Sequence, residues 1–242
     1  MIKNVTVVGM IYKSVSYLRF MVDQIKRYCI STSDMNIDYL IIANDANDSV
    51  LQYLHEHNVN HLVYNDPKPN DYYLNRIYRA WNFGGKQASG DIVVFINSDM
   101  GFSSQWLEKL IRYLEWSNIP CSRLVESGKL LSGAHAISKD FGRTADTYNE
   151  TGFLTYTNEI SSIESQYGGL YMPCAFYKND FVTSGGYPEG NMYEGGAGAV
   201  NTPLVMPGDQ WFFTQNKVMS KKIHITVFSS IVYHIQEGEL DE

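Results

Sequence analysis

Along the first hundred residues the apolar positions switch repeatedly between two spacings. Residues 4–9 (NVTVVG) form a short β-branched run, after which Tyr17, Leu18, Met21, Val22, Ile25 and Tyr28 recur at helical spacing behind the capping candidates Ser14 and Ser16. The alternation predicts a strand and then a helix. It repeats as residues 37–43, a polar NDAND turn and a helix through Leu51 and Leu54, and again as residues 61–64 followed by a helix over about 75–89. Residues 91–96 (DIVVFI) close the series with an apolar run that suits a strand buried on both faces of a parallel sheet. Trp106, Leu107, Leu110, Ile111 and Leu114 mark one more amphipathic helix, for which Ser103 and Ser104 are the capping candidates.

Beyond Ser117 the alternation stops, and about fifty Ser-, Thr-, Gly- and Tyr-rich residues read as a loop-bearing or irregular region where substrate-specific structure would sit. Further on, residues 170–177 read as a strand, 179–184 as a short helix ended by Gly185 and Gly186, 209–216 as another helix and 223–233 as a long β run. The one Gly-rich stretch, 193–201 (YEGGAGAVN), is a candidate lid. The expected class is α/β, built as one domain.

Composition narrows the function. Of 242 residues, 44% are hydrophobic and 19% charged, the balance of a globular chain with a full core. Lys and Arg total 19 against 26 Asp and Glu, a net charge of −7 that disfavours generic nucleic-acid binding. Three cysteines without metal-ligand spacing fit a reducing compartment. No stretch approaches the roughly 18 apolar residues of a membrane span, so the expected location is cytoplasmic. The sequence leaves the oligomeric state open.

In an open α/β sheet ligands bind beyond the carboxyl ends of the strands. Those ends carry Met10 and Tyr12 after the first strand, Asn44 and Asp45 after the second, and Asn97, Ser98 and Asp99 after the buried one. Each Asp also suits an Asx-turn or a helix cap. Arg76 and Arg79 lie one turn apart on the helix that leads to the buried strand, where they can reach a phosphate or simply face solvent.

The block 82–99 (NFGGKQASGDIVVFINSD) resembles the R-N-x-G-x-x-x-A-x-G-D-(apolar)5-D-x-D segment of family 2 glycosyltransferases with the GT-A fold, with Trp81 in place of the usual Arg. Residues 40–49 are similar to that family's Asp-pair turn, 174–188 to its late Gly-Gly-aromatic segment, and Gly208-Asp209 stands where Glu-Asp is usual. The resemblance implies a Rossmann-like, mostly parallel sheet with helices on both faces plus a C-terminal acceptor-side region, so that residues 1–116 form the nucleotide-sugar-binding half and 117–242 the acceptor-binding and catalytic half of one domain. It implies transfer of a sugar, with inversion, from a nucleotide-diphosphate donor to the hydroxyl of a glycan or other acceptor.

By the same resemblance Met10, Tyr12, Asn44, Asp45, Arg76, Asn82, Asn97 and Ser98 bind the donor nucleotide, and Asp99 with His234 holds Mn²⁺ or Mg²⁺. Asp209 is the general base, with Glu194 and Glu189 as alternates. Asn97 replaces the first Asp of the motif and gives up one negative charge. Gly84 is expected to let the helix pass close to its neighbours and Gly90 to end it, while Trp211 offers a face to a sugar or fills the core. A dehydrogenase is disfavoured because GMIYKS, not G-x-G-x-x-G, follows the first strand. A nucleotidyltransferase and a non-catalytic nucleotide- or glycan-binding relic remain as alternatives.

Overall fold

The computed structural model describes residues 2–68, 72–130, 133–169, 172–199 and 201–238. Three short βα units open the chain: β1 (Lys3–Ile11) and α1 (Val15–Tyr28), β2 (Met35–Asn44) and α2 (Asp48–Glu56), β3 (His61–Tyr64) and α3 (Tyr73–Gln87). Then come β4 (Ile92–Ile96), β5 (Met100–Phe102), α4 (Trp106–Arg112), β6 (Asn118–Glu126), β7 (Ile137–Ser138), α5 (Glu150–Ile160), β8 (Ser165–Tyr167), β9 (Cys174–Tyr177) and α6 (Lys178–Ser184). The chain continues through β10 (Met192–Tyr193), β11 (Gly196–Ala197), β12 (Leu204–Met206), α7 (Gly208–Thr214) and β13 (Ile223–His234).

One sheet runs in the order β3-β2-β1-β4-β9-β6-β13-β5, with β7 beside β6 and β8 beside β13. The β3-β2-β1-β4 half is parallel, as is the β6–β13 pair, while β9 and β5 run antiparallel to their neighbours. The chain winds outward from β1 to β3 and returns to β4 on the other side of β1. The winding direction therefore reverses between β1 and β4, and in such sheets the carboxyl ends at that reversal are the usual ligand position.

Helices cover both faces. A Cβ on Gly9 would meet Met21 of α1, whereas one on Gly84 of α3 would come within 2.6 Å of Val8, whose side chain leaves β1 on the opposite face. Gly84 thus allows the close approach expected of it. Gly90 serves differently: α3 is C-capped by Ala88, and a Cβ on Gly90 would lie 2.8 Å from the Asn4 carbonyl and the Thr6 amide of β1. Ser14 caps α1 through the Tyr17 amide, as its position suggests. Ser103 and Ser104 do not cap α4, whose N-cap is Gln105 in a left-handed conformation.

The region after Ser117 is more regular than its composition suggests. It contains the nine-residue β6, paired along its length with β13, and the eleven-residue α5. Pro120, Ser122 and Arg123 interrupt the apolar pattern of β6. The proline is tolerated because β9 joins β6 only at the Cys121–Cys174 pair, leaving Pro120 with one ladder neighbour. The Gly-rich stretch is likewise structured: β10 and β11 form a hairpin and β12 completes a three-stranded antiparallel sheet. Val200 of that stretch, and Leu170 and Tyr171 of the strand expected over 170–177, lie outside the described residues.

Candidate functional site

Two clusters form at the carboxyl edge of the sheet. In the first, Tyr12 follows β1, Asp45 follows β2, and Arg76 reaches both from the end of the first turn of α3. Arg76 donates to the Tyr12 hydroxyl at 3.1 Å, lies over its ring and stands 3.9 Å from the Asp45 carboxylate. The Tyr12 hydroxyl is shifted down by its hydrogen bond to Lys13, with Arg76 assisting. Asp45 adopts φ 48 and accepts the Asp66 amide at 3.2 Å. The α2 cap is Asn47, which accepts from Val50, so Asp45 is not consumed in capping. Asn44 is buried and donates weakly to the Met10 sulfur at 3.5 Å.

The second cluster gathers Asp99 after β4, His234 at the end of β13 and Glu126 at the end of β6. His234 Nε2 lies 3.5 Å from Asp99 Oδ2, and His234 Nδ1 lies 3.5 Å from Glu126 Oε1. Burial pushes the imidazole pKa down, but Asp99 and Glu126 outweigh it and the net shift is upward. Asp99 caps no helix, since β5 follows it directly. Its Oδ2 also accepts the Gly238 amide at 3.3 Å. Beside it, Ser98 is buried and Asn97 is half-buried.

Glu126 is the member that sequence reasoning missed. It stands 108 residues from His234 in sequence but directly opposite it in the parallel ladder. The clue lay in the end of a strand that Pro120 had disguised.

The donor set fits a divalent cation. A carboxylate and an imidazole nitrogen converge, and the second ring nitrogen is backed by a carboxylate, the usual way a metal-ligating histidine is held. Among the described residues no three His, Cys, Asp or Glu side chains could hold a metal by themselves. Glu126 lies behind the ring, so Asp99 and His234 would share the ion with phosphate oxygens, as hard cations at phosphates commonly require.

Asp209 sits apart, in the first turn of α7. The N-cap of that helix is Pro207 and supplies no side-chain bond, while Asp209 Oδ1 accepts the Gln210 amide at 2.8 Å. Burial pushes its carboxyl upward from the ordinary range, against the hydrogen bonds that favour the anion. Tyr78 of α3 lies against it and is itself pushed up, mainly by burial and then by the Asp209 charge.

Other expected residues are placed elsewhere. Both ends of the Asn82 amide are taken by Tyr187, which accepts from Nδ2 and donates to Oδ1, each at 2.8 Å. Glu194 is exposed in the β10–β11 turn, and Glu189 pairs with Lys68 and Arg79. Arg79 is buried against Asp66 at 3.1 Å, and Trp81 packs among Tyr78, Phe95 and Tyr187. Trp211 is half-buried. Among the described residues no helix is long and apolar enough to cross a membrane.

The family model described as Glycosyl transferase family 2 matches residues 6–167. No curated protein matches the chain. Among solved structures, residues 1–349 of S. aureus TarS match at 12% identity and TM-score 0.59, covering 96% of this chain and 60% of that one. GalNAc-T7 with UDP, GalNAc and Mn²⁺ matches at 13% and 0.58, covering 96% and 44%. The mannosyltransferase PcManGT of Pyrobaculum calidifontis with GDP-Man and Mn²⁺ matches at 13% and 0.57, covering 97% and 57%. This chain therefore spans less than two thirds of each, and the shared architecture is the GT-A fold.

Proposed function

The chain belongs to glycosyl transferase family 2, and from that premise we propose that it transfers a sugar, with inversion, from a nucleotide-diphosphate donor to an acceptor hydroxyl. The observation that carries this reading is the 3.5 Å approach of His234 to Asp99 at the carboxyl edge of the sheet, beside the Tyr12–Asp45–Arg76 cluster. Two of the structural neighbours hold Mn²⁺ with a nucleotide or nucleotide-sugar.

Asp45 accepts from an N–H of the base edge, with Asn44 and Met10 below it, and Arg76 and Tyr12 border the nucleoside. Asn97 and Ser98 meet ribose or phosphate oxygens. Asp99 and His234 would hold Mg²⁺ or Mn²⁺, and a bound ion supplies positive charge against the departing diphosphate. Asp209 takes the acceptor proton on Oδ2 as the acceptor oxygen bonds to the anomeric carbon. The bond from that carbon to the diphosphate breaks, and its electron pair leaves with the nucleoside diphosphate. Its raised pKa suits a base, because a carboxyl closer to the working pH takes a proton more readily. Asn82 acts as a clamp between α3 and the Tyr187 segment and does not touch the donor.

The test is a thermal-shift panel of UDP, GDP, CDP and ADP, each with and without Mn²⁺. One nucleotide should raise the melting temperature, and more so with the ion, because a ligand bound only to the folded state must stabilise it. No shift with any nucleotide at millimolar concentration would reject the reading.

A further inference from the structure

Arg79 is a guanidinium inside the protein, its side chain only 6% exposed, and the reaction described above gives it no part. Its Nε lies 3.1 Å from the Asp66 carboxylate and its Nη2 donates to the Asp66 carbonyl at 3.2 Å. On the other side its Nη1 stands 3.5 Å from Glu189, which also pairs with Lys68 at 3.3 Å. Asp66 is therefore gripped at side chain and backbone together, and the Tyr64 hydroxyl donates to the same carboxylate at 3.3 Å.

The grip passes on to the donor edge. The Asp66 amide donates to Asp45 Oδ1 at 3.2 Å, and the Tyr64 carbonyl accepts the Asp45 amide at 2.9 Å. Asp45 lies just past the end of β2 at φ 48, in the left-handed region that a side chain adopts at some cost. Its Oδ2 is buried, makes no hydrogen bond among the described residues and stands 3.9 Å from Arg76. One carboxylate oxygen is thus used internally and the other is left as an acceptor. Arg76 and Arg79 lie three residues apart on α3 and share a face. Arg76 flanks Asp45 directly, whereas Arg79 reaches it through Asp66.

Stability alone explains the buried guanidinium poorly. A buried ion pair is often no more stable than apolar residues of the same volume, but a planar fork fixes its partner's position. Two nitrogens of this fork meet Asp66, and a shift of that residue would break both contacts.

We propose that Arg79 is a positioning residue for base discrimination: it does not touch the nucleotide, and by holding Asp66 it fixes the Asp45 carboxylate with Oδ2 offered to the base. The proposal rests on the reading above in which Asp45 accepts from a base N–H. A carboxylate with one oxygen tied presents the other at a set angle, so bases are told apart by where their N–H groups fall. A carboxylate free to turn would follow several bases and distinguish them less. Diphosphate and ion belong to the Asp99–His234 cluster and should be indifferent to Arg79.

The experiment is isothermal titration of UDP, GDP, CDP, ADP and inorganic pyrophosphate, all with Mn²⁺, into the parent, Arg79→Met, Asp45→Ala and the double variant. The parent should favour one nucleotide over the weakest by at least roughly tenfold. Arg79→Met should weaken that nucleotide by roughly ten- to hundredfold, as for a lost hydrogen bond to a charged group, and bring the four to within about threefold of each other. Pyrophosphate affinity should not change. On top of Asp45→Ala, Arg79→Met should cost nothing further, since residues acting through one group are not additive. Arg79→Lys should restore only part of the discrimination, because a point charge does not reproduce the fork. Asp66→Ala, at a side chain 42% exposed, should narrow the discrimination in the same direction and tests the same contacts should Arg79→Met not fold. Thermal melts establish which variants are folded.

Equal parent affinities for all four nucleotides, full discrimination in folded Arg79→Met or in Asp66→Ala, equal losses for nucleotide and pyrophosphate, or an added loss in the double variant would each overturn this role and leave the sugar-transfer reading standing. Binding of no nucleotide would instead reject that reading and the role with it.

Discussion

Asn82 and Tyr187 hold each other through two hydrogen bonds of 2.8 Å, the side-chain amide of one meeting both backbone groups of the other across 105 residues. The pairing fastens α3 to the chain leaving α6, and a Cβ on the intervening Gly186 would collide with the amide at 2.1 Å. Asn82→Ala should lower stability by about 1–3 kcal/mol in urea denaturation, because it strands a backbone donor and an acceptor. Nucleotide affinity of the folded fraction should stay at the parent value. A selective loss of nucleotide binding with unchanged stability would return Asn82 to the donor site.

Asp99→Asn should weaken nucleotide binding chiefly in the presence of Mn²⁺, because the charge that draws the ion is gone while the amide keeps the shape. Asn97→Asp adds a second carboxylate beside it and should strengthen the Mn²⁺ dependence. Isothermal titration of both variants with and without Mn²⁺ checks the pair. Equal affinities in all four titrations would remove the ion from this edge.

Asp209→Asn should lower turnover by roughly 10²–10⁴-fold with donor affinity preserved. Its stability signature has the opposite sign. A carboxyl whose folded pKa is raised binds protons more readily in the native state, so stability falls as pH rises through that interval and the ionised group is a cost at neutral pH. Asn removes the cost, and since Pro207 caps α7 without a side-chain bond, little capping energy is lost. The variant should melt no lower than the parent at pH 7. Turnover of the parent should decline on acidification with an apparent pKa above the ordinary aspartate value.

His224 gives the fold a separate pH dependence. Burial beside the Phe213 ring pushes its pKa down to about 4 from 6.5. The unfolded chain then binds the extra proton first, so stability is full above pH 6.5 and is lost as pH falls through 4, by about 3 kcal/mol in all. Urea midpoints between pH 4 and 7 should show this slope, and His224→Gln should flatten it.

The first half of the chain was legible because each βα unit is local. The strands β1 to β4 and helices α1 to α4 fall within a few residues of the positions their periodicity and turn residues suggest, and Gly84 does what a glycine in a close helix–sheet contact must. The second half is held by distant partners. Pro120, Ser122 and Arg123 make β6 look irregular although β13 pairs with all of it. The glycines of 193–198 suggest looseness, yet they allow a hairpin that sits directly on Asn75. The alignment of Tyr12, Asp45 and Arg76 comes from three separate elements, and nothing in the spacing of these residues announces that α3 would aim Arg76 at the other two.

Glu126 is the sharpest test of what that non-local pairing does. Its carboxylate lies 3.5 Å behind the ring nitrogen of His234 that faces away from Asp99, and the ladder fixes the two residues opposite each other. A carboxylate in that place orients the imidazole and makes its far nitrogen a better ligand. Glu126→Gln keeps the size and one acceptor but removes the charge, so the His234 pKa should fall in NMR titration. Mn²⁺-dependent nucleotide affinity should drop by roughly 10–100-fold, as for other carboxylates behind a ligating histidine. Nucleotide binding without Mn²⁺ should not change, since Tyr12, Asp45 and Arg76 lie in the other cluster. Two outcomes would each reduce Glu126 to a structural neighbour: a loss of equal size with and without the ion, which would reflect general distortion of the edge, and no loss at all.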